Sequence, residues 1–245
     1  MKILGIIPSR YASTRFPGKS LADIAGKSMI QRVVEQVLKS TKITDVIVAT
    51  DDARIYDHVE NFGGKACMTN PNHQSGTDRC FEALKLQRDS YDYVINIQGD
   101  EPFIQPEQID LLAGLLDGNT QLATLIKPIE QSEQIFDPNV VKVVKGSDEN
   151  ALYFSRNPIP FLRNEQQGDW LKNHGYYKHI GIYAYKTDVL EQITQLPVSL
   201  LERAESLEQL RWLENGYSVK TAITQHESIG IDTPEDLKKV LGHIK

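Results

Sequence analysis

A chain of 245 residues with 40% hydrophobic content can bury one substantial core, and its ionisable side chains leave a net charge of -6. An acidic balance of that size excludes a general affinity for nucleic acid or anionic membrane, so any anion site has to be local. No apolar run approaches the roughly 18 residues of a membrane span, the N-terminus lacks the pattern of a signal peptide, and Cys67 and Cys80 show neither a C-x-x-C nor a paired Cys/His spacing. A soluble cytoplasmic protein is expected, without a disulfide framework or structural zinc.

Residues 3–7 are apolar or Gly and predict a short buried strand, followed by the loop P-S-R-Y-A-S-T-R-F-P-G-K-S. Ser9, Ala12, Ser13 and Gly18 let backbone N–H groups approach an anion, while Arg10, Arg15 and Lys19 supply charge-assisted bonds. The loop therefore reads as a polyphosphate cradle opening onto a helix, although a basic surface loop would carry the same charges. It has the glycine spacing of neither a Walker loop nor a G-x-G-x-x-G turn.

Ile30, Val33, Val34, Val37 and Leu38 form a helical stripe, and the apolar residues 46–49 a second strand, with an Asp at 51 or 52 placed to cap the next helix. This is a βαβ unit with parallel strands. A helix over 53–62 stops at Gly63-Gly64, a short strand covers 65–69, and a turn-rich segment at 70–79 opens a helix over 77–87, with Ser75 or Thr77 as its cap.

Residues 93–97 predict a central strand running into Gln98-Gly99-Asp100-Glu101-Pro102. Ligands of open parallel sheets lie beyond the carboxyl ends of strands, so Asp100 is delivered where it could hold magnesium beside a polyphosphate; it or Glu101 could instead cap the helix predicted at 106–116. Strands follow at 122–126 and 140–144. Pro158 and Pro160 then predict an extended arm leaving the main body, with a polar stretch at 164–175. The strand at 176–185 alternates, with Tyr177, His179, Gly181, Tyr183 and Tyr185 on one face. A helix over 202–215 and a strand over 217–223 lead to Gly230-Ile231-Asp232-Thr233-Pro234-Glu235-Asp236, where Thr233 as N-cap and Pro234 at N1 leave Asp232 free.

The order R-x-x-S-T-R-x-P-G-K directly after the first strand resembles the signature of sugar nucleotidylyltransferases, and the fuller string resembles the 3-deoxy-manno-octulosonate cytidylyltransferase family, as do H-Q-S-G-T-D-R, P-N-V-V-K-V-V, S-L-E-Q-L-R and G-I-D-T-P-E-D-L. The resemblance implies a Rossmann-like α/β fold with a mostly parallel central sheet, of the nucleotide-diphospho-sugar transferase type. It implies one nucleotidyltransferase domain over residues 1–245, with an inserted sugar-binding and dimerisation substructure at 151–200. It also implies transfer of a cytidylyl group from CTP to the sugar acid Kdo with release of pyrophosphate, Mg2+ as cofactor, a homodimer, and a product destined for lipopolysaccharide. By residue, it makes Arg10, Arg15, Lys19 and Asp100 catalytic and puts the nucleotide against Ser13, Gln74, Ser75, Gly76 and Arg79. It gives the sugar Gln98, Arg156, His179, Tyr183, Glu208 and Gln209, and the metal Asp100 and Asp232.

Against a sugar acid, the Arg156 fork suits a carboxylate and His179 can donate to the acid or to a hydroxyl. A lone His on an alternating strand, and an exposed Glu-Gln pair on a helix, are equally at home in plain structural roles. Ser9 stands where the resembled family commonly has Ala, and Ser20 and Ser28 stand where it has Pro, which puts the stiffness of the loop in question. Two rivals remain: the same chemistry on an amino-substituted or neuraminate-like acid, and a nucleotide-binding sensor without turnover.

Overall fold

The computed structural model describes residues 1–243, and the chain divides into two compact units, Gly114–Glu227 and the remainder on either side of it. In the first unit the elements run β1 (Ile3–Ser9), β2 (Asp23–Ile24), β3 (Lys27–Ser28), α1 (Met29–Val37), β4 (Asp45–Thr50), α2 (Ala53–Asn61), β5 (Ala66–Met68), α3 (Gly76–Lys85), β6 (Tyr93–Asn96) and α4 (Pro106–Ala113). Four strands pair in the order β6-β1-β4-β5, all parallel, with Ile6 of β1 opposite both Ile47 and Asn96.

The parallel arrangement follows from composition: Ile3, Leu4, Ile6 and Ile7 are all buried, which a strand covered on only one face could not achieve. On α1 the predicted stripe buries Ile30, Val33, Val34 and Val37, but Leu38 is 63% exposed because the helix ends one residue earlier. The β2–β3 hairpin was not anticipated; its turn puts Ala25 and Gly26 at φ 50° and 84°, the two left-handed positions that a tight hairpin requires.

The second unit contains β7 (Leu122–Pro128), α5 (Ser132–Phe136), β8 (Lys142–Lys145), β9 (Ala151–Ser155), α6 (Trp170–Asn173), β10 (Tyr177–Lys186), α7 (Thr187–Thr194), α8 (Leu200–Glu205), α9 (Gln209–Glu214) and β11 (Val219–Ile223). Its strands run β11-β7-β10-β8-β9; β11 is parallel to β7 and the other pairings are antiparallel.

Three expectations are corrected here. The arm expected to leave the body from residue 151 begins as β9, folded back on β8 by a turn with Glu149 at φ 64°, and Tyr176 Oη ties the proline segment down by donating to the Pro160 carbonyl at 2.8 Å. The polar stretch at 164–175 carries a core residue: Trp170 is 2% exposed and packs with Ile129, Ile135 and Tyr176. The single helix expected over 202–215 is two, α8 and α9, because Ser206 takes φ 53° and stops the first. The chain returns to the first unit as α10 (Pro234–His243), where Ile231 and Val240 bury against Ile24 and Met29.

Candidate active site

The cradle is built by the chain's own turn chemistry. The Tyr11 carbonyl accepts from both Ser13 N (2.9 Å) and Gly18 N (2.8 Å), which folds the loop after β1 back on itself. Gly18 sits at φ 71° with the Tyr11 ring so close that a Cβ would lie 3.0 Å from it. On Tyr11 rests the Arg54 guanidinium, 3.3 Å from the ring centroid, itself held by both oxygens of Asp52 at 2.9 and 2.7 Å. The three serines that depart from the resembled family all find partners: Ser9 Oγ donates to Ser20 Oγ at 2.7 Å, joining the two ends of the loop, and Ser28 caps α1 while meeting His58 Nε2 at 2.7 Å.

At the end of β6 the chain passes beside β1 so tightly that a Cβ on Gly99 would lie 2.8 Å from the Pro8 carbonyl oxygen. The next residue, Asp100, accepts from Lys19 Nζ at 2.6 Å. Asp232 accepts from the same nitrogen at 2.9 Å and from Arg15 Nη2 at 2.9 Å, so two carboxylates more than a hundred residues apart share one ammonium. The Asp232 segment is anchored by Ile231 N donating to the Asp100 carbonyl at 2.9 Å, and Asp236 takes the capping bonds with Thr233, leaving the Asp232 carboxylate to the cluster. Burial pulls the Lys19 ammonium down, but the bonds and charges of Asp100 and then Asp232 outweigh it, and Lys19 sits above its ordinary value. Beside it, burial and then the Asp100 charge push Glu101 up to about 7, against the Ser228 hydroxyl.

A cavity of about 360 Å³ opens over this cluster, lined also by Arg10, Ser13, Ser75, Gly76, Arg79 and Gln98, within the size range of small-molecule sites. The structure thus brings most of the expected nucleotide and catalytic residues to one place. Gln74 is not on this wall; it is exposed and donates to the Asn72 carbonyl at 3.0 Å. Ser75 is the helix cap, accepting from Asp78 N at 3.1 Å. Arg79 is buried and braces the strand ends, donating to Thr69 Oγ1 at 2.5 Å and Asp51 Oδ2 at 2.8 Å, so its charge is already paired.

The second unit gathers the remaining sugar candidates on its own. Between Ile180 and Tyr183 the β10 register on β7 slips by two residues, and because the slip is even the alternation survives: His179 lies opposite Ile126 and Tyr183 opposite Thr124, on one face. Their rings stand 5.1 Å apart, and Trp212 of α9 meets Tyr183 edge-on at 5.1 Å. Glu208, at the start of the helix that carries Trp212, acts electrostatically on Tyr183, and Gln209 next to it is buried.

Thr124 Oγ1 donates to the Ile182 carbonyl at 2.7 Å, so it meets His179 Nε2, at 3.0 Å, as an acceptor. The imidazole is then the Nε2–H tautomer, and burial pushes it down to about 4, which keeps it neutral. It can accept from a sugar hydroxyl at Nδ1, whereas both expected uses, donation to the acid and donation to a hydroxyl, are closed to it while Nε2–H is held by Thr124. Tyr183 Oη and Trp212 Nε1 are buried with no hydrogen-bond partner among the described residues.

Arg156 is held from behind: three of its five N–H donors go to backbone carbonyls, Nε to Glu205 at 2.7 Å, Nη1 to Pro138 at 2.9 Å and Nη2 to Ser206 at 3.4 Å, which leaves the second N–H of each terminal nitrogen for a carboxylate. That places it at the α8–α9 elbow, two residues before Glu208. Tyr11, Arg54 and Trp212 are given no role by the sequence and Glu101 only that of a possible helix cap; the aromatic between two basic residues in R-Y-A-S-T-R offers a signal for the first of them.

The profile of the cytidylyltransferase family matches residues 4–229. A 3-deoxy-manno-octulosonate cytidylyltransferase from Cytophaga hutchinsonii is 59% identical over 241 residues, 98% of this chain and 96% of that protein. The enzyme of the same name from Parabacteroides distasonis is 56% identical over 249 residues, 100% of this chain and 98% of that protein. A solved structure, CMP:2-keto-3-deoxy-manno-octonic acid synthetase complexed with CTP, matches with a TM-score of 0.92 at 44% identity, covering 100% of this chain and 98% of that one. At 14% identity, 4-diphosphocytidyl-2C-methyl-D-erythritol synthase from Anaerococcus prevotii shares the fold, with a TM-score of 0.64, covering 99% of this chain and 98% of that one.

Proposed function

Since the chain belongs to the cytidylyltransferase family, we propose that it couples CTP to 3-deoxy-manno-octulosonate, giving the CMP-linked sugar acid and pyrophosphate. The anomeric hydroxyl oxygen bonds to the α-phosphorus, the bond from that phosphorus to the bridging oxygen of the β-phosphate breaks, and the hydroxyl proton is released. No covalent enzyme intermediate is required. The observation that carries the reading is the convergence of Asp100 and Asp232 on Lys19 beneath a loop bearing Arg10 and Arg15.

The chain's own residues contribute position and charge. Arg10, Arg15 and Lys19 meet the phosphates, and Ser13, Ser75 and Gly76 border the nucleotide. In the second unit His179 accepts a sugar hydroxyl, Tyr183 Oη and Gln209 supply polar contacts, and Arg156 is the group suited to the acid's carboxylate. Two hard carboxylate oxygens drawn onto a single cation fit magnesium, with the Lys19 ammonium standing in for it. Asp100 and Asp232 would hold the ion, which when bound would supply neutralisation of phosphate charge. On the same reading the enzyme is a cytoplasmic homodimer serving lipopolysaccharide assembly, in keeping with the absence, among the described residues, of any helix long and apolar enough to cross a membrane.

Pyrophosphate release with CTP, magnesium and a panel of acids tests this. Release is expected with 3-deoxy-manno-octulosonate and not with a nine-carbon neuraminate; silence with the former overturns the assignment. Asp100→Asn and Asp232→Asn should each lower the rate about 100-fold or more while far-UV circular dichroism stays unchanged, and full activity in either variant would refute the metal assignment.

A further inference from the structure

Lys142, at the start of β8, is fully buried, and among the described residues its ammonium has no carboxylate in hydrogen-bond contact. All three of its N–H donors go to backbone carbonyls instead: Asp137 at 2.8 Å, Val140 at 2.5 Å and Arg156 at 2.6 Å. Two of these acceptors close the turn before β8, and the third is the backbone of the residue assigned above to the sugar acid's carboxylate. The Arg156 guanidinium reaches back to the same turn, where Pro138 accepts from Nη1 at 2.9 Å. Arg156 is therefore fastened to the 137–140 turn twice, once by its own side chain and once through Lys142.

From the other side Glu205 holds the same backbone: its carboxylate accepts from Arg156 N at 2.9 Å and Ser155 Oγ at 2.6 Å. The ionisable groups acting on Lys142 are Asp137 and Glu205, which favour its charge, and Arg156, which opposes it, while burial is the largest influence and pulls it down. A buried cation among neutral acceptors is an expensive way to close a turn, since an apolar side chain of the same shape would avoid the desolvation. What the ammonium adds is a fixed relation between the turn and the Arg156 backbone.

We infer that Lys142 is a positioning residue for substrate, setting the direction of the Arg156 fork by tying the Arg156 carbonyl to the turn whose Pro138 carbonyl takes the guanidinium. This rests on Arg156 serving the sugar acid, and Lys142 touches no reactant itself.

Steady-state kinetics with both substrates test it. Lys142→Met keeps the stem and removes the donors; it should raise KM for the sugar acid about tenfold or more while KM for CTP stays within about twofold. Arg156→Ala should raise the sugar-acid KM likewise, and the double variant should be little worse than Arg156→Ala alone, because the two changes disable one arrangement. If Arg156→Ala raises the sugar-acid KM but Lys142→Met leaves it unchanged, or raises both KM values equally, the positioning role is overturned. If Arg156→Ala leaves the sugar-acid KM unchanged, the assignment of Arg156 falls, and the inference with it. Should Lys142→Met fail to fold, Glu205→Gln loosens the same backbone from the opposite side: a selective rise in the sugar-acid KM supports the arrangement and an unchanged value overturns it.

Discussion

Gly18 shows how much of the cradle depends on one missing methyl group. Its φ of 71° is a left-handed conformation, and the Tyr11 ring fills the space where a side chain would begin. Gly18→Ala carries a conformational penalty of about 1–2 kcal/mol and must also displace a ring pinned by Arg54. The variant should lower the unfolding temperature by several degrees in a thermal scan and weaken CTP binding in a titration; CTP affinity equal to the parent's would show that the loop's shape does not govern binding. At this scale the charged members of the cluster were legible, because Arg10, Arg15 and Lys19 lie in the loop that follows β1, Asp100 lies just beyond β6, and their chemistry is written in their side chains. Lys142 was not, since its partners are carbonyls, which every residue possesses. Nor could residue type reveal that Arg79 pairs with Asp51, a contact made only when β4 and α3 come together.

Strand β10 keeps its alternation through an irregularity. The alternating pattern foretold the face shared by His179 and Tyr183, and it survives because the register slip is two residues and not one. Periodicity served less well over residues 202–215, where spaced leucines suggested one helix and the left-handed Ser206 made two, turning Glu208 and Gln209 onto a new axis. The burial of His179 has a pH consequence. Its pKa falls from 6.5 to about 4 on folding, so between those values the unfolded chain binds the extra proton and stability must rise with pH. The contribution is complete above about 6.5 and is lost as the pH falls towards 4. Urea unfolding from pH 4.5 to 8 should show a slope of at most about 1.4 kcal/mol per pH unit in the acid half from this residue, and His179→Gln should remove that part; an unchanged slope would place the ring's protonation elsewhere.

For the whole molecule the governing fact is electrostatic: a chain of net charge -6 has to bind a polyanion. Local cations provide for this, but without metal those cations are not free, since Lys19 is bonded to Asp100 and Asp232, and Arg15 to Asp232. The cradle therefore presents to CTP a site whose positive charge is largely compensated, and a divalent ion on the two carboxylates would restore the excess. Three consequences follow together. CTP binding by the parent, followed by titration calorimetry, should be much weaker in EDTA than in magnesium. In the Asp100→Asn/Asp232→Asn double variant Lys19 and Arg15 lose these partners, so binding in EDTA should strengthen and its dependence on magnesium should fade, while turnover stays abolished. Raising the salt concentration should weaken the double variant's binding more than the parent's in EDTA, because more uncompensated charge is then exposed to screening. Equal affinity of the parent for CTP with and without magnesium would mean that the two aspartates govern the cradle through something other than their charge.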